Sequence, residues 1–284
     1  MRDQNTYQER RMTPRPTADD QRKSRQPAKA ELQTNSTTSG IVTITIDRPH
    51  RRNALTVELL AALASEVESA AGQNGTRVVV LTGVGTSFSA GSDLRAHAEP
   101  TAWSRTYAHA IGAIEAASVP VVARVNGHAF GGALGLVAAC DYVVVVDSAR
   151  LCYAEARYGT VPTLAAAPAL RRLRPADASD LFLRGREFDG IKAAALGLAN
   201  RSVPAGDLDD AVTEYVADIL QCGPEAVGTI KMMLRTLPTL KPAESPIWLH
   251  NLTEQVAASA EAAEGRAAFA AHRPPKWIDM KGTR

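Results

Sequence analysis

A chain of 284 residues with 45% hydrophobic and 22% charged side chains has ample length for a large core, and its 32 Lys and Arg against 30 Asp and Glu exclude a surface wholly committed to nucleic acid or anionic membrane. Three cysteines, Cys140, Cys152 and Cys222, contain no Cys-x-x-Cys pair, so they offer neither a disulfide framework nor a zinc cluster and point to a reducing cytoplasm. No stretch reaches the roughly 18 uninterrupted apolar residues of a membrane span. Residues 1–39 are rich in Arg, Gln, Thr, Asp and Pro and nearly free of large apolar side chains, which predicts a disordered tail. The tail has no apolar signal-peptide core, and its acidic residues argue against a mitochondrial leader.

From residue 41 the pattern changes. Ile41 to Asp47 alternates, with Val42, Ile44 and Ile46 on one face, and reads as a half-buried strand. Thr56 is placed to cap a helix carrying Leu60, Leu63 and Val67 at helical spacing, closed by Gly72 to Gly75. The runs Arg77 to Leu81, Pro120 to Val125 and Tyr142 to Val146 lack polar alternation, as strands covered on both faces do. Between them lie helical stretches from Tyr107 to Ala117 and Gly131 to Cys140. Beyond residue 150 the predicted elements are helices: Asp177 to Leu183, Gly190 to Leu196, Asp207 to Gln221, Pro224 to Arg235 and Ser245 to Ala271. The fold class is α/β, with a body over 40–205 and a helical region over 206–284.

Several nucleotide and hydrolase signatures are missing. Gly83-Val84-Gly85 follows a strand, but Phe88 stands where a dinucleotide fingerprint needs its third glycine, and no GK[ST], GxSxG, HExxH or EF-hand loop occurs. Two small-residue turns stand out instead, Ser89-Ala90-Gly91-Ser92-Asp93-Leu94 and Asn126 to Ala133, each between a buried strand and a helix start. Such turns let a ligand approach main-chain N–H groups, and two of them brought together could aim separate donors at one oxygen. Tight turning and close helix packing would explain the same glycines.

The blocks Ile46-Asp47-Arg48-Pro49 through Leu55, Ser87 to Leu94, and Pro120 to Leu134 resemble the crotonase, or enoyl-CoA hydratase/isomerase, superfamily. Further blocks match in order: Ala139-Cys140-Asp141, Ala154 to Pro162, Gly185 to Asp189, Ala194 to Asn200, Glu264 to Phe269 and Arg273-Pro274-Pro275. The resemblance spans residues 40 to 278. It implies a crotonase-type spiral of ββα units, a helical C-terminal oligomerisation region, and assembly as a homotrimer or dimer of trimers. It also implies an acyl-CoA thioester substrate and no metal or redox cofactor. By position, the backbone N–H groups of Ser92 and Gly132 form the oxyanion hole and Glu155 is the acid/base. Arg51, Arg52, Asp93, Leu94 and Arg95 are placed toward the CoA nucleotide. Preorganised donors of this kind stabilise charge that appears on the thioester oxygen only as the reaction proceeds.

The sequence departs from the family pattern in two places. Hydratases of the best-known type carry two glutamates, and the first aligns here with Gly135; Glu99 and Glu115 are the substitutes that sequence placement offers. After Pro162 the usual glycine-rich stretch is replaced by Thr163 to Pro168, whose methyl groups would reshape the acyl pocket. The expected activity is hydration or dehydration of a 2-enoyl-CoA. A single-glutamate double-bond isomerase, an acyl-CoA decarboxylase, and a non-catalytic family member that binds acyl-CoA or RNA stay open as alternatives. A Glu155 ion pair with Arg157 is the structural reading of that residue, and His128 is expected in the wall of the site rather than as a base for Ser92.

Overall fold

The computed structural model describes residues 31–96 and 100–278. In chain order the strands are β1 (Leu32–Ser36), β2 (Ile41–Ile46), β3 (Val78–Gly83), β4 (Ser87–Ser89), β5 (Val121–Val125), β6 (His128–Phe130), β7 (Tyr142–Val146), β8 (Leu151–Cys152) and β9 (Arg201–Val203). The helices are α1 (Val57–Gly72), α2 (Pro100–Ala116), α3 (Gly132–Ala139), α4 (Thr163–Leu170), α5 (Pro175–Arg184), α6 (Gly190–Ala195), α7 (Leu208–Gln221), α8 (Pro224–Thr236), α9 (Ser245–Ala257) and α10 (Ala260–Ala270).

The strands sort into a six-stranded sheet, ordered β1-β2-β3-β5-β7-β9, and a three-stranded sheet, β4-β6-β8. All pairings are parallel except β1 with β2. The chain passes from a long strand of the first sheet to a short strand of the second and then to a helix: β3, β4, α2; then β5, β6, α3; then β7, β8, α4. This repeated path is the spiral of ββα units. Helices cover the large sheet, which is why β3 is buried along its whole length and its sequence shows no alternation. β2 does alternate, with Val42, Ile44 and Ile46 buried. The Thr56 hydroxyl accepts the Leu59 N–H at 3.1 Å and starts α1 as its N-cap.

Two expectations change, and one helix is added. The tail boundary at residue 39 moves back, because Leu32–Ser36 forms β1, antiparallel to β2 in a register that pairs Leu32 with Ile46. Only Leu32 of this strand is buried, so its polar sequence resembles a tail. The rest of the predicted tail, residues 1–30, lies outside the described residues. The single helix expected from Ser245 to Ala271 is two, since the Ser259 hydroxyl accepts the Ala262 N–H at 3.1 Å and begins α10 anew. The stretch after Pro162 is helical, α4, with Pro168 inside it. The division at residues 205/206 falls in a short 3-10 turn, and α7 buries Leu208, Ala211, Val212 and Val216 in the same core as the spiral. Among the described residues no helix is long and apolar enough to cross a membrane.

Candidate active site

The three short parallel strands exit side by side, and each exit carries one of the residues singled out from sequence. Ser92 follows β4, Gly132 follows β6 and Glu155 follows β8. The C-terminal end of one small parallel sheet therefore gathers groups from three successive turns of the spiral.

At the first exit the Leu55 N–H donates to the Gly91 carbonyl at 2.8 Å and the Asp93 N–H to the Leu55 carbonyl at 2.9 Å. The N–H of a trans peptide points opposite to its carbonyl, so the Ser92 N–H faces away from Leu55. Gly91 makes this turn at φ +82°, a left-handed conformation natural to glycine. At the second exit the Gly131 carbonyl accepts the Leu134 N–H at 2.9 Å, inside α3, so the Gly132 N–H points out of the helix start. Within the described residues neither N–H donates to a protein acceptor. The two turns touch: a Cβ placed on Gly91 would stand 3.7 Å from the Gly132 nitrogen, and one on Gly132 would stand 3.6 Å from Ser92 Oγ.

Glu155 opens the 3-10 turn Glu155–Tyr158. Its Oε1 lies where it would be 2.9 Å from a Cβ on Gly131, and its Oε2 is buried without a hydrogen-bond partner. Burial pushes its carboxyl above the usual carboxylate range. The ion pair with Arg157 does not form among the described residues. A cleft of about 1140 Å³ opens over Ser92, Gly132 and Glu155, walled by Trp103 and Tyr107 of α2 and by Leu164 and Ala165 of α4. His128 is in this wall; its Nδ1 accepts the Arg150 N–H at 3.1 Å and its ring stacks on Phe130 with centroids 6.2 Å apart.

The residues placed toward the nucleotide separate. Arg52 and the exposed Leu94 line the cleft. Arg51 and Arg95 are exposed outside its lining. Asp93 also lies outside the lining, because its carboxylate is engaged by Arg48 at 2.8 Å. Burial alone would raise the Asp93 carboxyl, but the Arg48 guanidinium and the Arg95 N–H outweigh it and hold it below its ordinary value. Asp93 is therefore a brace for the Ser92 turn, since Arg48 also donates to the Ala54 carbonyl at 3.0 Å. Beneath the same turn, buried Asn53 donates to the Val84 and Ser87 carbonyls at 2.9 and 2.8 Å.

The position of the missing carboxylate is occupied. A Cβ on Gly135 would fall inside contact distance of the Tyr107 hydroxyl and 2.6 Å from Ala165 Cα. Of the proposed substitutes, Glu115 is paired with Arg171 outside the cleft lining, and Glu99 lies outside the described residues. Sequence reasoning passed over Glu187, a cleft carboxylate held by Arg150 through bonds of 2.6 and 2.7 Å, and Tyr107, whose hydroxyl donates to the Gly132 carbonyl at 2.6 Å. A glycine inside a buried helix was the one signal that something large stands opposite residue 135. No group of three or more His, Cys, Asp and Glu among the described residues is arranged to hold a metal ion.

A family model for enoyl-CoA hydratase/isomerase matches residues 36–280. The chain belongs to the enoyl-CoA hydratase/isomerase family. This family member is 33% identical over 247 residues to the carnitinyl-CoA dehydratase of Salmonella arizonae, an alignment covering 84% of the chain and 94% of that protein. The carnitinyl-CoA dehydratase of Escherichia coli K12 is 31% identical over the same coverage. Among solved structures, an enoyl-CoA hydratase from Mycobacterium smegmatis superposes with a TM-score of 0.82 at 28% identity, covering 88% of this chain and 99% of that one. Pseudomonas aeruginosa AtuE does so with a TM-score of 0.83 at 26% identity, covering 88% and all of its chain. The crotonase fold of this enoyl-CoA hydratase/isomerase family member is thus shared along nearly the whole described chain.

Proposed function

We infer that this chain acts on an acyl-CoA thioester and that its reaction is the hydration of a 2-enoyl-CoA or the reverse dehydration. The observation that carries this reading is the pair of outward N–H groups, Ser92 and Gly132, facing the same cleft as a buried, unpartnered carboxyl oxygen of Glu155. A thioester carbonyl seated between the two N–H groups has its developing negative charge stabilised as an enolate forms. In the dehydration direction the Glu155 carboxylate takes the Cα proton, the enolate collapses to the enoyl thioester, the Cβ–O bond breaks, and the same carboxyl returns the proton to the departing hydroxide as water. A carboxyl with its pKa raised by burial suits both halves of that cycle. The names of the hydratase and dehydratase relatives favour this direction of chemistry.

Gly135 favours a second reading. With Tyr107 and Ala165 filling the space at residue 135 and Glu187 held in its ion pair with Arg150, Glu155 is the cleft carboxylate with an unpartnered oxygen, and one base suffices to move a proton between two carbons in double-bond isomerisation. For the rest of the substrate, Arg52 and Leu94 at the cleft rim are placed to meet CoA. Exposed Ile230, Leu234, Ile247 and Phe269 on the C-terminal helices supply apolar surface for a homotrimer or a dimer of trimers.

The test is an absorbance assay of the conjugated thioester with crotonyl-CoA, a 3-enoyl-CoA and methylglutaconyl-CoA. Hydration of a 2-enoyl substrate is the expected result, and Glu155→Gln lowers turnover about 10²- to 10⁴-fold while CoA thioesters still bind. Turnover of the 3-enoyl substrate alone would establish the isomerase. Binding of all three with turnover of none would make the chain a binding protein.

A further inference from the structure

The Gly132 donor sits at a helix start made of two glycines. Gly131 and Gly132 are adjacent residues without side chains, and Gly131 occupies φ +53°, ψ −121° as the N-cap of α3 with no side chain to cap the helix. Nothing on these two residues can pack, so hydrogen bonds to their neighbours must orient the peptide planes. The Gly131 N–H donates to the Cys152 carbonyl at 2.8 Å, and the Gly131 carbonyl accepts the Leu134 N–H at 2.9 Å, which orients the peptide plane that carries the Gly132 N–H. The next peptide plane, between Gly132 and Ala133, is tied to α2 by Tyr107 Oη donating to the Gly132 carbonyl at 2.6 Å across 25 residues of sequence.

Tyr107 is equipped for this. Its ring is 3% exposed, stacks on Trp103 with centroids 5.7 Å apart and planes 11° apart, and would stand 3.4 Å from a Cβ on Gly132. Burial first, and then the nearby Tyr153 and Glu155, push its phenol well above the ordinary value, so it stays a neutral donor. Its hydroxyl also fills the volume at Gly135, so a side chain at 135 and this bond exclude each other.

We propose that Tyr107 is a positioning residue of the oxyanion site: its hydroxyl bond to the Gly132 carbonyl and its ring packed against Gly132 anchor the first turn of α3 to α2, and so keep the Gly132 N–H, oriented within that turn by the Leu134 bond, on the thioester oxygen. The proposal rests on the oxyanion reading of Ser92 and Gly132. Tyr107 takes no proton from substrate; it acts through Gly132. Because its hydroxyl fills the space at residue 135, the geometry that steadies the helix start also excludes a carboxylate from that position.

The experiment compares the wild-type protein with Tyr107→Phe, which keeps the ring and its stack and removes the bond. Butyryl-CoA carrying a ¹³C-labelled thioester carbonyl is bound to each, and the carbonyl stretch is read by isotope-edited infrared difference spectroscopy. The wild type is expected to lower the stretching frequency relative to free butyryl-CoA. In Tyr107→Phe that lowering shrinks, and with the enoyl substrate kcat falls about tenfold while KM changes little. A merely structural tyrosine would lower the melting temperature and leave both the frequency shift and kcat in place, which overturns the proposal. A fall in kcat with the full frequency shift retained also overturns it, since the hydroxyl would then act elsewhere than on the donor. Absence of any frequency shift in the wild type would instead overturn the oxyanion reading, and the proposal with it.

Discussion

Glu155 carries a cost that the proposed acid/base role would explain. Its buried, unpartnered Oε2 sets its pKa in the folded chain above that of the unfolded chain, so between those two values the native state binds more protons. Stability therefore falls as pH rises through that interval, and the charged carboxylate remains a penalty at neutral pH. Glu155→Gln is accordingly expected to melt above the wild type at neutral pH, with the gap closing below about pH 4, where the unfolded carboxyl is itself protonated. Equal melting temperatures across the range would show that the carboxylate is solvated. Gly135 gives the opposite test. Gly135→Ala forces a methyl group against Ala165 and the Tyr107 hydroxyl, and is expected to cost about 1–3 kcal/mol in urea unfolding.

Among the elements, α8 depends on one buried cation. Lys231 Nζ donates to the Ile114 and Val119 carbonyls at 2.9 and 3.1 Å and pairs with Asp141 at 2.7 Å, tying the helix to the end of α2 and the starts of β5 and β7. Lys231→Ala leaves those acceptors facing apolar surface and is expected to destabilise by about 3 kcal/mol in chemical unfolding. A change below 1 kcal/mol would mean that water reaches the acceptors. The contrast between elements also explains what the sequence disclosed. β3, β5 and β7 were legible because covering them on both faces forces unbroken apolar runs, and α1 because Thr56 marks its start. β4, β6 and β8 have two or three residues each, too few for any period, and β1 exposes four of its five. The break at Ser259 was written as a capping residue, but the helical pattern on both sides masked it. Ser92, Gly132 and Glu155 were located by resemblance to family blocks. Tyr107 lies 25 residues from its acceptor, a distance at which local spacing carries no signal.

At the scale of the whole molecule, the spiral converts three sequence-distant turns into one site by repeating the same path from large sheet to small sheet to helix. Its C-terminal helices leave Phe269 84% exposed and Ile247 66% exposed, surface that a second copy of the chain would cover. Sedimentation equilibrium is expected to give a mass of three or six times 30.2 kDa, and a monomer at micromolar concentration would contradict the assembly. The convergence of the two backbone donors is most directly tested by a crystal structure with butyryl-CoA bound. The thioester oxygen is expected within about 2.7–3.1 Å of both the Ser92 and Gly132 nitrogens. A bound thioester whose carbonyl meets neither nitrogen, or only one of them, would contradict the account.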